Sequence, residues 1–181
     1  MTDPVRGEGP RLEPLAPGEW DDFLARLVDA FGGPDHALNI FTTLGRHGEL
    51  FQPWVRYGGA LLAGRLAGRV REMAILRTSV NCDVEYEWVH HLDAAAAAGI
   101  GDEEIAALRR PLADGSWDED NRVLLQAVDE MHGSWTLSDG TWRELHRRLE
   151  DTGTIELVML VGQYHLVALA LRCLGVRLEQ P

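Results

Sequence analysis

The sequence predicts an all-α fold, and three observations carry that prediction. Apolar residues recur at three- and four-residue spacing along most of the 181-residue chain. Helix-starting Ser, Thr and Asp and helix-ending Gly and Pro punctuate those runs at intervals suited to single helices. No sustained alternation of apolar and polar residues marks a half-buried strand.

Residues 1–18, with Pro4, Pro10, Pro14 and Pro17, read as a loose leader without the apolar stretch of a secretion signal. Residues 19–181 read as one helical domain. A first helix is predicted over 19–31, with Trp20, Phe23, Leu24, Leu27 and Val28 on one face and Gly32-Gly33-Pro34 ending it. Segments 37–46 and 50–63 follow, separated by His47-Gly48. The pattern over 68–81 predicts a helix in which Glu72, Leu76 and Ser79 share a face flanked by Met73, Ile75 and Val80. Val84 to Ala98 is the next, closed by Gly99. Asp102 is expected to cap a short helix through Arg110, stopped by Pro111. Ser116 to Glu119 has capping-box spacing, which predicts a helix to about His132. Ser138 is expected to cap a helix through Glu150, and Thr154 to open the last, through Leu174, closed by Gly175.

Composition excludes several function classes. Seventeen Lys and Arg against 29 Asp and Glu give a net charge of −12, which repels phosphate backbones and anionic lipid, so neither nucleic acid nor a membrane is an expected partner. The most apolar stretch, 157–174, contains Gln163, His165 and Arg172 and reads as a buried core helix rather than a membrane span. Gln163 and His165 should each find a buried polar partner there. The only cysteines, Cys82 and Cys173, form no CxxC pair; the Cys-poor, acidic composition fits the cytoplasm. Cys82 reads as a small helix-start residue and Cys173 as core packing.

The chemistry concentrates in Arg71 to His91, REMAILRTSVNCDVEYEWVHH. On the 84–98 helix, Val84, Trp88 and Ala95 define an apolar face, and Glu87 and His91 fall on it one turn apart. Glu72 lies on the apolar face of the preceding helix. If these helices pack as an antiparallel pair, two carboxylates and an imidazole point into one sheltered space. A carboxylate there must be paired or raise its pKa, and an imidazole beside it can move protons near neutral pH. The same i,i+4 Glu–His pair is also what an ordinary structural pair looks like. Tyr86 falls on the opposite side of its helix, as an interface or surface aromatic, and Trp88 as core or pocket wall. Arg71 and Arg77 point away from Glu72 on the wheel, which favours oligomer salt bridges. His36, His47, His132 and His146 receive no role. Glu87-x-x-His90 has the spacing of a di-iron ligand pair, but a second such motif and HExxH are both absent, so no metal is expected.

The spacing of Glu72, Val84, Glu87 and His91 resembles the signature of the carboxymuconolactone decarboxylase family, within the alkylhydroperoxidase D-like class. Asn39-Ile40-Phe41, the 58–62 segment, Glu85 to Trp88 with His90-His91, and 160–164 resemble that family's other blocks. In the family's peroxidase branch the positions of Val84 and Glu87 are both Cys. Here no dithiol can form, which disfavours peroxidase or disulfide-reductase chemistry.

The resemblance implies an AhpD-like helical domain in a homo-oligomer, a trimer or hexamer. It also implies a cofactor-independent acid/base enzyme acting on a small carboxylated, carbonyl or lactone compound, with decarboxylation as type reaction. His91 would be the general acid/base and Glu72 its orienter. Glu87 would carry a second proton or repel carboxylate substrates. Val84, Tyr86, Trp88 and His90, their neighbours on one helix, are candidate substrate-binding residues. The alternative is a non-catalytic member that binds a small ligand or serves as a scaffold.

Overall fold

The computed structural model describes residues 9–179; residues 1–8 of the predicted leader lie outside them. Among the described residues there are eight α-helices and no strand: α1 (Asp22–Ala30), α2 (Asn39–Leu44), α3 (Gly48–Leu62), α4 (Gly68–Asn81), α5 (Glu85–Ala97), α6 (Asp102–Leu108), α7 (Glu119–Ser134) and α8 (Asp139–Leu174). Short 3-10 turns at Pro17–Glu19, Pro34–His36, Gly45–His47 and Leu112–Asp114 join some of them. The chain clusters into two compact units, one of residues up to 60 together with 169 onward, the other of residues 61–168.

In the first unit, Leu24 and Val28 of α1 and Phe51 of α3 are buried, with Leu15, Trp20, Phe23, Leu27, Phe41 and Trp54 packed around them. The aromatic edges interlock, Phe23 against Phe51 at 5.9 Å and Phe41 against Trp54 at 6.2 Å between ring centroids. Asp21, not Glu19, starts α1, because its carboxylate accepts from the Leu24 N–H at 2.8 Å. The C-terminal segment folds back here: the Arg11 and Leu12 amides donate to the Leu174 carbonyl, and the Asn39 amide to Glu179.

In the second unit α4 is the central helix. Glu72 through Ser79 are all buried, which fits a helix packed by α5 and α7. An all-round buried helix is weakly amphipathic, so every polar group on it needs a partner. Thr78 and Ser79 bond back to the Ala74 and Leu76 carbonyls at 2.7 Å. Arg77 contradicts its predicted interface role. Its guanidinium is held within the chain by both Asp129 oxygens (2.7 and 2.6 Å) and by the carbonyls of Leu108 and Arg110 (2.7 and 2.8 Å). One buried cation thus ties α4 to α7 and to the end of α6.

Several predicted boundaries are corrected. Asp118, not Ser116, caps α7, since its carboxylate accepts from the Asn121 N–H at 2.7 Å. Gly101 rather than Asp102 is the N-cap of α6, with Glu104 reaching back to the Gly101 N–H at 3.2 Å. Ser138 does receive the Thr141 N–H at 3.3 Å, as a cap should. The helix end predicted at Glu150 is where α8 breaks (φ 55°, ψ −173°), but helix resumes at once and not at Thr154. By length and composition the apolar part of α8 would suffice to cross a membrane, and 44% of that window is buried. Its remaining face leaves Ile155, Val158, Met159, Leu166 and Leu169 exposed, so the stretch is only partly the core helix the sequence predicts.

Candidate active site

Helices α4 and α5 are joined by a short turn. Asp83 has a positive φ of 54°, and the Val84 amide donates to the Ser79 carbonyl at 2.9 Å. Val84 is the N-cap of α5 rather than its first helical residue, and it is buried. This reversal sets the Glu72 face of α4 against the His91 face of α5. The His91 Nδ1 lies 2.8 Å from Glu72 Oε2. The Glu72 side chain is 2% exposed and that of His91 14%, so the contact is sheltered yet reachable.

Two further groups complete the cluster. The Arg71 Nε–H donates to Glu72 Oε1 at 2.9 Å, although adjacent helical residues ordinarily diverge. The length of the Arg side chain lets its guanidinium turn back, which corrects the expectation that it points away. The Tyr164 hydroxyl, from α8, lies 2.9 Å from His91 Nε2. Because Glu72 is a carboxylate and accepts only, Nδ1 carries the imidazole proton, and Nε2 accepts from the Tyr164 O–H. The order Arg71–Glu72–His91–Tyr164 is a continuous hydrogen-bond chain across three helices.

Glu87 also faces the ring, its Oε2 3.6 Å from His91 Nε2. The two carboxyls on either side of His91 are driven in opposite directions. Burial pushes Glu72 upward, but the hydrogen bonds and charges of His91 and Arg71 outweigh it and hold the carboxyl below its ordinary range. Burial raises Glu87, and His91 and His90 only partly oppose it. Burial, with the negative fields of Glu87 and Glu72, also holds the Tyr164 hydroxyl firmly in its protonated form.

The candidate binding residues are placed differently from one another. Trp88 is buried with the Arg109 guanidinium 4.0 Å over its ring, so it is a wall packed beneath a cation. Tyr86 is buried, not a surface aromatic, because its ring stacks on His90 at 4.3 Å. The His90 Nδ1–H donates to the Tyr86 carbonyl at 2.8 Å, which turns this ring back along its own helix.

Tyr164 is not among the residues that sequence reasoning singles out. The signal is present all the same: a tyrosine inside an apolar helix must find a partner for its hydroxyl, just as Gln163 and His165 must for their polar groups. Gln163 is buried. His165 finds its partner in His132, Nε2 to Nδ1 at 3.0 Å. Burial, then the nearby His165, lower the His132 pKa against the pull of Asp129. Cys82 is the C-cap of α4, not a helix start, and its Sγ lies 4.0 Å from His132 Nδ1. Cys173 is exposed, which corrects its predicted place in the core.

Residues 48–130 match the model of the carboxymuconolactone decarboxylase family. No curated protein matches the sequence. Among solved structures, the chain is similar to an alkylhydroperoxidase AhpD core, a peroxidase-related protein from Ralstonia eutropha JMP134. The TM-score is 0.79 at 16% identity, covering 94% of this chain and 93% of that one. It is similar to a debrominase in complex with 2,3,4-tribromopyrrole, with a TM-score of 0.76, 14% identity and coverage of 93% and 91%. It is also similar to a peroxidase-related protein from Silicibacter sp. TM1040, with a TM-score of 0.74, 14% identity and coverage of 99% and 91%. At these identities the likeness shows the fold, which is all-α and AhpD-like.

Proposed function

We propose, from the match of residues 48–130 to the carboxymuconolactone decarboxylase family model, that the chain is a proton-transfer enzyme acting without redox cysteines. Its substrate is a small carboxylated or carbonyl- or lactone-bearing compound, and decarboxylation is the type reaction. The observation that carries this reading is the chain Glu72–His91–Tyr164, in which a buried carboxylate fixes the imidazole and leaves Nε2 facing a hydroxyl.

The chemistry follows from that order. Loss of CO2 leaves an electron pair that a conjugated carbonyl holds as an enolate. A proton must then reach carbon. His91 takes up a proton from solvent at Nε2, in place of the hydrogen bond from the Tyr164 O–H, and the resulting imidazolium is stabilised by the Glu72 carboxylate across the ring. It then releases that proton to the substrate. Tyr164 donates a hydrogen bond and does not ionise. Glu87, whose pKa burial raises, is a second carboxyl on the same edge and, when protonated, would spare a carboxylate substrate the repulsion of a full charge. Trp88, Val84, Tyr86 and His90 shape the surroundings. Isomerisation or lactone opening would use the same groups. Two cysteines 91 positions apart in sequence (82 and 173) supply no dithiol at the family's redox positions, which argues against peroxidase chemistry.

A homo-oligomer built on trimers belongs to this reading, and the exposed apolar side chains of α8 support it. The test works with compound classes rather than one natural substrate. A panel of β-keto acids, unsaturated lactone acids and enolisable ketones is incubated in D2O, and carbon-bound exchange and CO2 release are followed by NMR. Turnover is expected with at least one class, and His91→Gln should lower it by about 10²–10⁴-fold. A His91→Gln rate within a few-fold of the parent defeats the proposal.

A further inference from the structure

We propose that Cys82, His132 and His165 form a three-ligand site for a borderline-soft divalent cation of the Zn2+ class, with its fourth position open to solvent. The three side chains come from the end of α4, from α7 and from α8. One ligand atom from each lies within 4.8 Å of the others. None of them belongs to the Glu72–His91 chain, and the proposal stands apart from the reading of that chain.

The donor set and its spacing suit this ion. A tetrahedral zinc with its usual bond lengths separates two ligating nitrogens by about 3.3 Å and a nitrogen from a sulfur by about 3.6 Å. Here the His132 Nδ1 and His165 Nε2 are 3.0 Å apart, and Cys82 Sγ is 4.0 Å from His132 Nδ1. Small side-chain rotations close both differences. One thiolate with two imidazoles is a borderline-soft set, which disfavours Mg2+ and Ca2+.

The surroundings are arranged as ligand support. The His165 Nδ1–H donates to the Val161 carbonyl at 2.8 Å, which fixes this tautomer and leaves Nε2 with its lone pair facing the cluster. The Trp135 ring lies beside His165, 5.7 Å away between ring centroids and tilted by 54°. All three ligands are partly exposed, so an ion has a path in and a water can complete the shell. Asp129 is already committed to Arg77 and Asn81 and need not enter the coordination.

The thiol itself argues for a cation. Cys82 caps the C-terminal end of α4, where the helix dipole disfavours a negative sulfur. That position does not activate a nucleophile. A bound Zn2+ supplies positive charge beside the sulfur and deprotonates the thiol outright. On binding, the S–H proton leaves to solvent and an S–Zn bond forms. The His132 proton moves from Nδ1 to Nε2, and no electron is transferred.

The test uses untagged full-length protein stripped with chelator. Titration with Co2+ should give one equivalent of binding, a thiolate-to-cobalt charge-transfer band and intense visible ligand-field bands, all abolished by Zn2+. Cys82→Ser should remove the charge-transfer band, and His165→Gln should weaken binding by about 100-fold or more. In a Cys173→Ser background that leaves one thiol, Zn2+ should also slow modification of Cys82 by a thiol reagent. This protection does not require any ligand variant to fold. Absence of the thiolate band in the parent, or its persistence in Cys82→Ser, overturns the site. So does Cys82 modification at the same rate with and without Zn2+.

Discussion

Replacing Glu72 by Gln tests both stability and chemistry at one buried atom pair. The carboxylate is 2% exposed and accepts from Arg71 Nε at 2.9 Å and His91 Nδ1 at 2.8 Å. An amide of the same shape has one oxygen and one NH2. It can satisfy one of those donors but must turn its own hydrogens toward the other. A buried donor left unpaired costs about 1–3 kcal/mol. For a chain of this size each kcal/mol lowers Tm by about 2–4 °C. His91 can relieve the clash only by moving its proton to Nε2, which reverses the polarity of the bond to Tyr164 and removes the acceptor on which proton uptake depends. The rate should therefore fall by about 10²-fold or more, the scale of one positioned acid–base group. The stability difference has a definite pH signature. The folded pKa of Glu72 is lowered, so its contribution is present above the unfolded value near 4.3 and is lost as pH falls through the folded value. The parent and Glu72→Gln should differ most above about pH 5 and converge in stronger acid. Urea unfolding across that range, with NMR turnover at neutral pH, measures both. Equal midpoints at pH 7 with rates within a few-fold would refute the claim that this carboxylate orients the ring.

Three further substitutions separate the parts of the fold. Glu87 has a raised folded pKa, so its favourable protonated form stabilises below the unfolded value and is lost as pH rises; Glu87→Gln should melt higher than the parent at pH 7, with the gap closing below about pH 4. Arg77→Ala leaves Asp129 and two carbonyls without their buried cation, and should cost about 3–5 kcal/mol in chemical denaturation; a loss below about 1 kcal/mol would contradict the bidentate geometry. Glu150 holds φ 55° and ψ −173°, a region nearly reserved for glycine. Glu150→Gly should therefore stabilise by about 1 kcal/mol with unchanged far-ultraviolet dichroism, and a lower Tm would show that the kink is not strained.

Much of the helical layout is legible in the sequence, and the reasons differ by element. The 68–81 run coincides with α4 because Gly and Asn bracket it and its core positions are continuous. The caps are harder. Ser116 and Asp118 both satisfy an N-cap pattern, and only the backbone path, which brings the Asp118 carboxylate to the Asn121 amide, decides between them. The helix end expected at Glu150 is where α8 breaks, but the interruption takes that one residue and does not extend to Thr154. The pairing of Glu72 with His91 is accessible from periodicity because each lies on the apolar face of a short-linked helix. Tyr164, His132 and His165 are not placed by it, since their partners lie 73, 33 and 33 positions away along the chain, beyond any helical wheel. Arg71 escapes for the opposite reason: a wheel treats a long, flexible side chain as a fixed radial vector, and a guanidinium can return to its own neighbour.

His91 sits between two carboxyls whose environments push their protonation apart, and this asymmetry assigns the direction of proton movement. Toward Nδ1 there is an anion: Glu72 is held ionised by Arg71 and by the ring itself. Toward Nε2 there are a hydroxyl that resists ionisation and a carboxyl whose pKa burial raises. Groups of opposite poise around one imidazole are the arrangement that separates acid from base at a single pH. A proton arriving at Nε2 gains the Glu72 charge across the ring, whereas one removed from Nδ1 would strand that charge against a neutral acceptor. Under the proposed reading, exchange with substrate is therefore confined to the Nε2 edge, the edge that Tyr164 and Glu87 share. With cysteine at position 87, as in the redox branch, that edge would carry a thiol. With glutamate it carries a carboxyl whose pKa burial raises, and under the proposed reading that group serves proton transfer in place of thiol chemistry.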